Sequence, residues 1–185
     1  MIKTDIPICN NEIIENKFAY NIFKDRILRN GNIISFISKV DIKTKKCTLY
    51  ADEAINFLWE IPDISPITAV CIQRLFNSIV GNVLSNPKFL NCKIEILEDK
   101  IIIHKEHKQG GVVQPYGQAS LSNLHFINNT CIGYLGIYIK AGQLAPAFAF
   151  STDLIDGNIK NQFMIDCMKE FYAMMQSIVI ETSRI

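Results

Sequence analysis

The chain has 185 residues, 49% of them hydrophobic and 20% charged, which is enough for one domain with a real core and short for two. Nineteen basic against eighteen acidic residues leave a net charge of +1, so no broad field draws the protein to nucleic acid or to an anionic membrane. The composition also excludes a disordered or fibrous chain.

The opening segment lacks the apolar core of a signal peptide, because Asp5 and Asn10 interrupt it early. No run approaches the roughly 18 apolar residues of a membrane span. The six cysteines form no Cys-x-x-Cys pair, and most lie inside apolar runs, as small buried hydrophobes do in a reducing compartment. These features predict a soluble, cytoplasmic protein without a disulfide framework.

In chain order, Ile14, Phe18 and Ile22 at four-residue spacing predict a first helix over 11–25. Asn30-Gly31 is a turn signal, and the following run with Ile34, Phe36 and Val40 reads as a strand. Lys43 to Lys46 read as a solvated turn. Asp52 and Glu53, suited to the positive end of a helix dipole, point to a short helix from Ala51 to Trp59.

The clearest helix is Pro66 to Leu84, with Ser65 as N-cap and Pro66 in the first turn. Ile72, Leu75, Phe76, Ile79, Val83 and Leu84 form its expected apolar face. Gln73, Arg74, Asn77, Ser78, Gly81 and Asn82 form its expected polar face. Asn86-Pro87 marks its end.

The period then changes. Residues 92–97 and 100–104 read as a hairpin turning at Glu98-Asp99, and strands are expected over 118–127, 131–139 and 144–150. A closing helix from about Ile159 to Thr182 buries Met164, Met168, Phe171, Met175 and Ile178. This order predicts a single α+β domain over residues 1–185, its mostly antiparallel or mixed sheet flanked by helices.

Gly110-Gly111, with Lys105 and Lys108 upstream, admits two readings. Glycine lets backbone N–H groups approach an anion while a lysine supplies charge; alternatively the pair is a hairpin turn between solvated lysines. Gln118, Ser120 and Ser122 alternate on one face of a strand that leaves Gly117, which makes that face either ligand-facing or merely solvated. His104-x-x-His107 is off any predicted helix, so its spacing does not put both imidazoles on one face, and no metal site is expected. Cys131 is a candidate nucleophile without a local His or Lys partner, and buried packing is the competing reading. Trp59, the single tryptophan, either packs over a helix end or lines a pocket.

Residues 109–154, taken in order, resemble the catalytic core of the biotin and lipoate protein ligase superfamily. The segments that carry this are Gly110-Gly111-Val112-Val113, Gly117-Gln118 leading to Asn123, Cys131 to Gly136, Ala147 to Phe150, and Asp153-Leu154. Octanoyltransferases share a similar order, and Gln73-Arg74-Leu75 on the helix ahead of the sheet fits as well. The whole chain also looks like a small, largely archaeal family of similar length and unassigned function. Two glycines stand where lipoate ligases have three, and Pro115 lies about where the family has a histidine. Either Cys131 or Gln118 occupies the place of the family lysine that holds the acyl group and adenylate.

The resemblance implies a small carboxylate or acyl ligand, with ATP and Mg²⁺ or an acyl donor as co-substrate, and transfer to a lysine on an acyl-carrier protein. Gly110, Gly111, Lys105, Lys108, Gly117, Gln118 and Ser120 would bind the ligand, and Cys131 would accept the acyl group. The alternative is a descendant of the same fold that binds a ligand without turnover or assembles as a homo-oligomer.

Overall fold

Asn30-Gly31 turns the chain as expected. Gly31 sits at φ +57°, and the ring of Tyr172 occupies the space a Cβ would need, so both backbone and packing require glycine there. The computed structural model of the protein describes residues 28–39, 51–109, 112–127, 130–143, 145–154 and 156–182. The expected helix over 11–25 and the lysine turn at 43–46 lie outside the described residues.

The turn joins β1 (Leu28–Asn30) to β2 (Ile33–Lys39), and β3 (Glu53–Pro62) pairs antiparallel with β2. The short helix expected from Ala51 to Trp59 is therefore a strand. Its side chains from Ala54 to Trp59 are buried on both faces, so the run shows no alternation, and an unbroken apolar run does not separate strand from helix. Glu53 opens this strand in register with Lys140 and places its carboxylate 2.8 Å from Lys160 Nζ.

Helix α1 (Pro66–Leu84) starts as expected, with Ser65 Oγ accepting from Thr68 N at 3.1 Å. Its buried face is turned from the expected one. Gln73, Asn77, Val80 and Gly81 are buried, whereas Leu75 is exposed. By length and composition alone this helix could cross a membrane, but here Ala69, Ile72, Phe76, Val80 and Leu84 pack into the hydrophobic core.

Strands β4 (Lys93–Leu97), β5 (Lys100–Gln109) and β6 (Val112–Gln118) form a three-stranded antiparallel sheet. The strand expected over 118–127 divides at Ala119 into the end of β6 and β7 (Ser120–Ile127), which pairs with β8 (Thr130–Lys140). The larger sheet has the order β1-β2-β3-β8-β7 and is antiparallel throughout. Of the strand expected over 144–150, the described residues 145–150 are instead a turn-rich segment holding one parallel bridge, Gln118 to Ala149. Of its apolar residues Ala149 and Phe150 are buried, whereas Phe148 is half exposed.

Helix α2 (Gly157–Thr182) is capped by Asp156, whose Oδ1 accepts from Asn158 N and Ile159 N at 2.8 and 3.0 Å. It buries Met164, Met168, Phe171 and Met175, with Ile178 packed beside them. The core between the two helices and the larger sheet is aromatic: Phe76 and Phe171 lie 4.8 Å apart, and Phe57 meets Phe76 edge-on at 5.5 Å. The fold is α+β. On the other face of the sheet Ile34, Phe36, Leu58, Ile132 and Tyr134 are also buried. There Tyr134 Oη donates to Asn56 Oδ1 at 2.9 Å, and Asn56 Nδ2 donates to Ser38 Oγ at 2.8 Å.

Candidate functional site

The chain crosses from the small sheet to the large one at Gly117-Gln118-Ala119-Ser120, and this crossing gathers most of the sequence-predicted residues that can be described. Gly117 is required by close approach, since a Cβ there would lie 2.5 Å from Phe150 Cδ2. Gln118 N donates to Phe148 O at 3.0 Å, and Phe150 N donates back to Gln118 O at 2.8 Å. The Gln118 side-chain amide folds onto its own chain, with Nε2 donating to Ser120 O at 2.6 Å. Ala119 ties the sheets together, donating to Ile101 O at 2.8 Å and accepting from Tyr138 N at 2.9 Å.

Ser120 is fully buried, and its Oγ accepts from Ile101 N at 2.9 Å. That hydroxyl satisfies a backbone donor at the meeting of the two sheets. Lys105 reaches the same neighbourhood from β5. Its half-exposed ammonium lies 3.2 Å from Asp153 Oδ2, and Asp153 follows Phe148 and Phe150 in the segment that packs on Gln118. Asp153 sits at φ +57°, a left-handed conformation that costs energy in a residue with a Cβ, and its backbone N donates to Ile139 O at 3.1 Å. In the sequence Asp153-Leu154 stands out only by resemblance, and no periodic signal marks the ion pair with Lys105. Exposed aromatic rings of Tyr116 and Phe148 flank the junction.

Cys131 stands apart from this group. Ser120 pairs with Ile137, six residues along β8 from Cys131, which is about 20 Å at strand rise. Its thiol is fully buried in the helix-side core, and desolvation pushes its pKa up to about 11. A thiolate nucleophile needs the opposite environment. Gly110 and Gly111 lie outside the described residues, between the paired strand ends Gln109 and Val112, and Lys108 is described only by its backbone pairing with Val113. At His104-x-x-His107 the β5–β6 register is irregular; His104 Nε2 lies 3.0 Å from Glu95 Oε2, and its ring stacks obliquely on Tyr116 at 5.8 Å. Among the described residues no three His, Cys, Asp or Glu side chains converge as a metal site.

No protein-family model and no curated protein sequence matches the chain. Its structure is similar to that of a protein of unknown function from Pyrococcus horikoshi, with a TM-score of 0.62 and 14% identity over 95% of this chain and 88% of that one. It is also similar to the biotin protein ligase from Aquifex aeolicus in complex with biotin and ATP. That TM-score is 0.51, at 10% identity over 77% of this chain. The fold is biotin protein ligase-like. The likeness spans 60% of the length of the ligase, and at this identity it speaks to fold and not to chemistry. Within this fold the chain has a glycine-dependent crossing between two sheets, with Lys105 and Asp153 beside it.

Proposed function

We propose that this ligase-like domain binds a small carboxylate- or acyl-bearing ligand at the sheet junction. Lys105 and Lys108 would supply positive charge, the Gly110-Gly111 backbone would supply N–H donors, and Gly117 and Gln118 would form the wall, with the buried Ser120 fixing the strand behind them. The observation that carries this reading is the Lys105 ammonium, brought by β5 onto the segment that packs against Gly117 and Gln118. An incoming carboxylate would compete with Asp153 for that ammonium. ATP with Mg²⁺ is the co-substrate a ligase-like chemistry would require, and Lys105 and Lys108 are the residues whose charge suits its phosphates.

A second reading, binding without turnover, has its own support. The buried Cys131 thiol and the committed Ser120 hydroxyl leave the described junction without a free nucleophile for an acyl-enzyme.

A thermal-shift series with ATP and Mg²⁺, AMP, biotin, lipoate, octanoate and acyl-CoA tests both. Ligand at 100 times its Kd stabilises by about 2.7 kcal/mol, several degrees for a chain of this size. A shift removed by Lys105→Ala and retained in Cys131→Ser supports the junction site. Pyrophosphate release in the presence of the same ligand then selects ligase chemistry, and its absence selects binding alone. A shift unaffected by Lys105→Ala, or none with any compound, would sink the proposal.

A further inference from the structure

A sheet edge leaves a row of backbone N–H and C=O groups without a partner strand, and proteins blunt such edges with short strands, charges, proline or bulges. Among the described residues the two sheets end in β1, β7, β4 and β6. Strand β1 has only three residues, β4 carries Lys93 and Glu95, and β6 carries Pro115 and an irregular register with β5. Strand β7 has none of these devices. It runs for eight residues in unbroken register with β8 and contains no Lys, Arg, Asp, Glu or Pro.

The hydrogen bonds of β7 identify its outer side. Leu124 N donates to Asn123 Oδ1 at 2.9 Å and Ser120 O accepts from Gln118 Nε2 at 2.6 Å, so both backbone groups turn away from β8. Strand alternation turns those of Ser122 and Phe126 to the same side, where no backbone group of the described residues pairs with them. Apolar side chains stand exposed on both faces of this edge, Leu121 on one and Phe126, 45% exposed, on the other. Beside it, Val70 of α1 lies with Leu124 in a cleft between helix and strand. Ile67, three residues earlier on the same helix face, is 78% exposed.

A strand completes such an edge, and β7 suits its own copy. When a strand pairs antiparallel with itself about a two-fold axis, its central residues meet their own counterparts, so a charge there would oppose itself. Strand β7 has no such charge, and Arg74, the one charged residue of α1, has Glu98 4.0 Å away to offset it. An axis perpendicular to the sheet keeps both helix layers on one face. Because α1 packs on both β7 and β8, it and its copy would stand two strand spacings apart, about 10 Å, the separation at which helices pack. We infer that β7 pairs antiparallel with β7 of a second copy of this chain, joining the two larger sheets into one and covering Phe126, Ile67 and Val70.

Sedimentation velocity of the full chain from about 1 μM to about 1 mM, the range of moderate to weak association, tests this. The expected result is a reversible species of twice the chain mass. Asn123 is exposed at the middle of β7 and would stand opposite or diagonal to its own copy, so Asn123→Lys should raise the dissociation constant tenfold or more. Phe126→Lys should act likewise, while Ile159→Lys, the same change at an exposed residue of α2, leaves association unchanged. Mixing Asn123→Lys with Asn123→Glu should restore a one-to-one dimer, because opposite charges then meet; this restoration also shows that both variants are folded. A parent chain that stays monomeric throughout would overturn the inference and leave the edge to a different protein. A dimer insensitive to both β7 changes, or a mixture no tighter than either variant alone, would overturn it as well.

Discussion

The indole Nε1 of Trp59 donates to Oε1 of Gln73 at 3.1 Å, joining the middle of β3 to the buried face of α1. Gln73 Nε2 in turn donates to Tyr134 O at 3.3 Å. One side chain thus satisfies a donor on β3 and an acceptor on β8 in a layer otherwise filled by aromatic rings. Gln73→Leu keeps the volume and removes these two bonds and the one to Asn77 Oδ1, leaving the indole N–H without its acceptor. The expected cost is about 1–3 kcal/mol for an orphaned buried group. Denaturant unfolding followed by the emission of Trp59 measures it, and an unchanged midpoint would show that the amide contributes nothing.

That same residue explains where the sequence misled. Gln73, Asn77 and Gly81 read as a polar face because each is usually solvent-exposed, yet all three turn inward. The two amides bond to each other at 3.4 Å, and Gly81 makes room for Ile96 of β4. Partners distant in sequence decide both, and periodicity contains no record of them. The helix ends were legible because capping is local: Ser65 and Pro66 act within one turn. Strand β3 was not legible as a strand, since burial on both faces erases alternation. At the junction, Gly117 and Gln118 were visible as a break after a glycine, and Lys105 as a nearby cation. The use of Ser120 Oγ by Ile101 N and the distance of Cys131 depend on strand pairing, which no local pattern specifies.

Glycines at two positions should respond oppositely to alanine. At Gly133 a Cβ would fall inside the Trp59 indole, which is itself fully buried and held by Gln73. Gly133→Ala should therefore destabilise by about 1–3 kcal/mol or more, as overpacked cores do. At Gly157, in the first turn of α2, nothing lies within 4 Å of the added methyl. Gly157→Ala should stabilise by about 0.4–1 kcal/mol through the unfolded chain. Melting temperatures that move in the same direction for both would refute the packing argument.

Lys160 Nζ and Glu53 Oε1 lie 2.8 Å apart, with their side chains only 10% and 13% exposed. Charges this far from water are costly when single, so Lys160→Met should lose about 3–5 kcal/mol by stranding Glu53. Glu53→Leu combined with Lys160→Met should recover much of that loss, because the second change removes the stranded charge. A double variant no more stable than Lys160→Met would mean that Glu53 is not the group being stranded. Lys105 and Asp153, both near half exposed, form the contrasting case: Lys105→Ala should change stability by less than about 1 kcal/mol.

Alkaline pH should expose the buried acids of the core. Burial raises Cys131 to about 11 from its ordinary 9.0, and Tyr138 to about 12 from 10.0. Each group keeps its proton longer in the folded chain than in the unfolded one. Their stabilising contribution is therefore complete below pH 9 and is lost as pH rises through the folded values, first for Cys131 and then for Tyr138. Urea midpoints should fall between pH 9 and 11, and Cys131→Ala should flatten that part of the decline while lowering stability at neutral pH. The same burial predicts thiol reactivity. Cys71, exposed on α1, should react with a disulfide reagent at once, whereas Cys131 and Cys167, both buried and shifted upward, should react only on unfolding. Rapid modification of Cys131 in the native protein would contradict its burial and return it to consideration as an acyl acceptor.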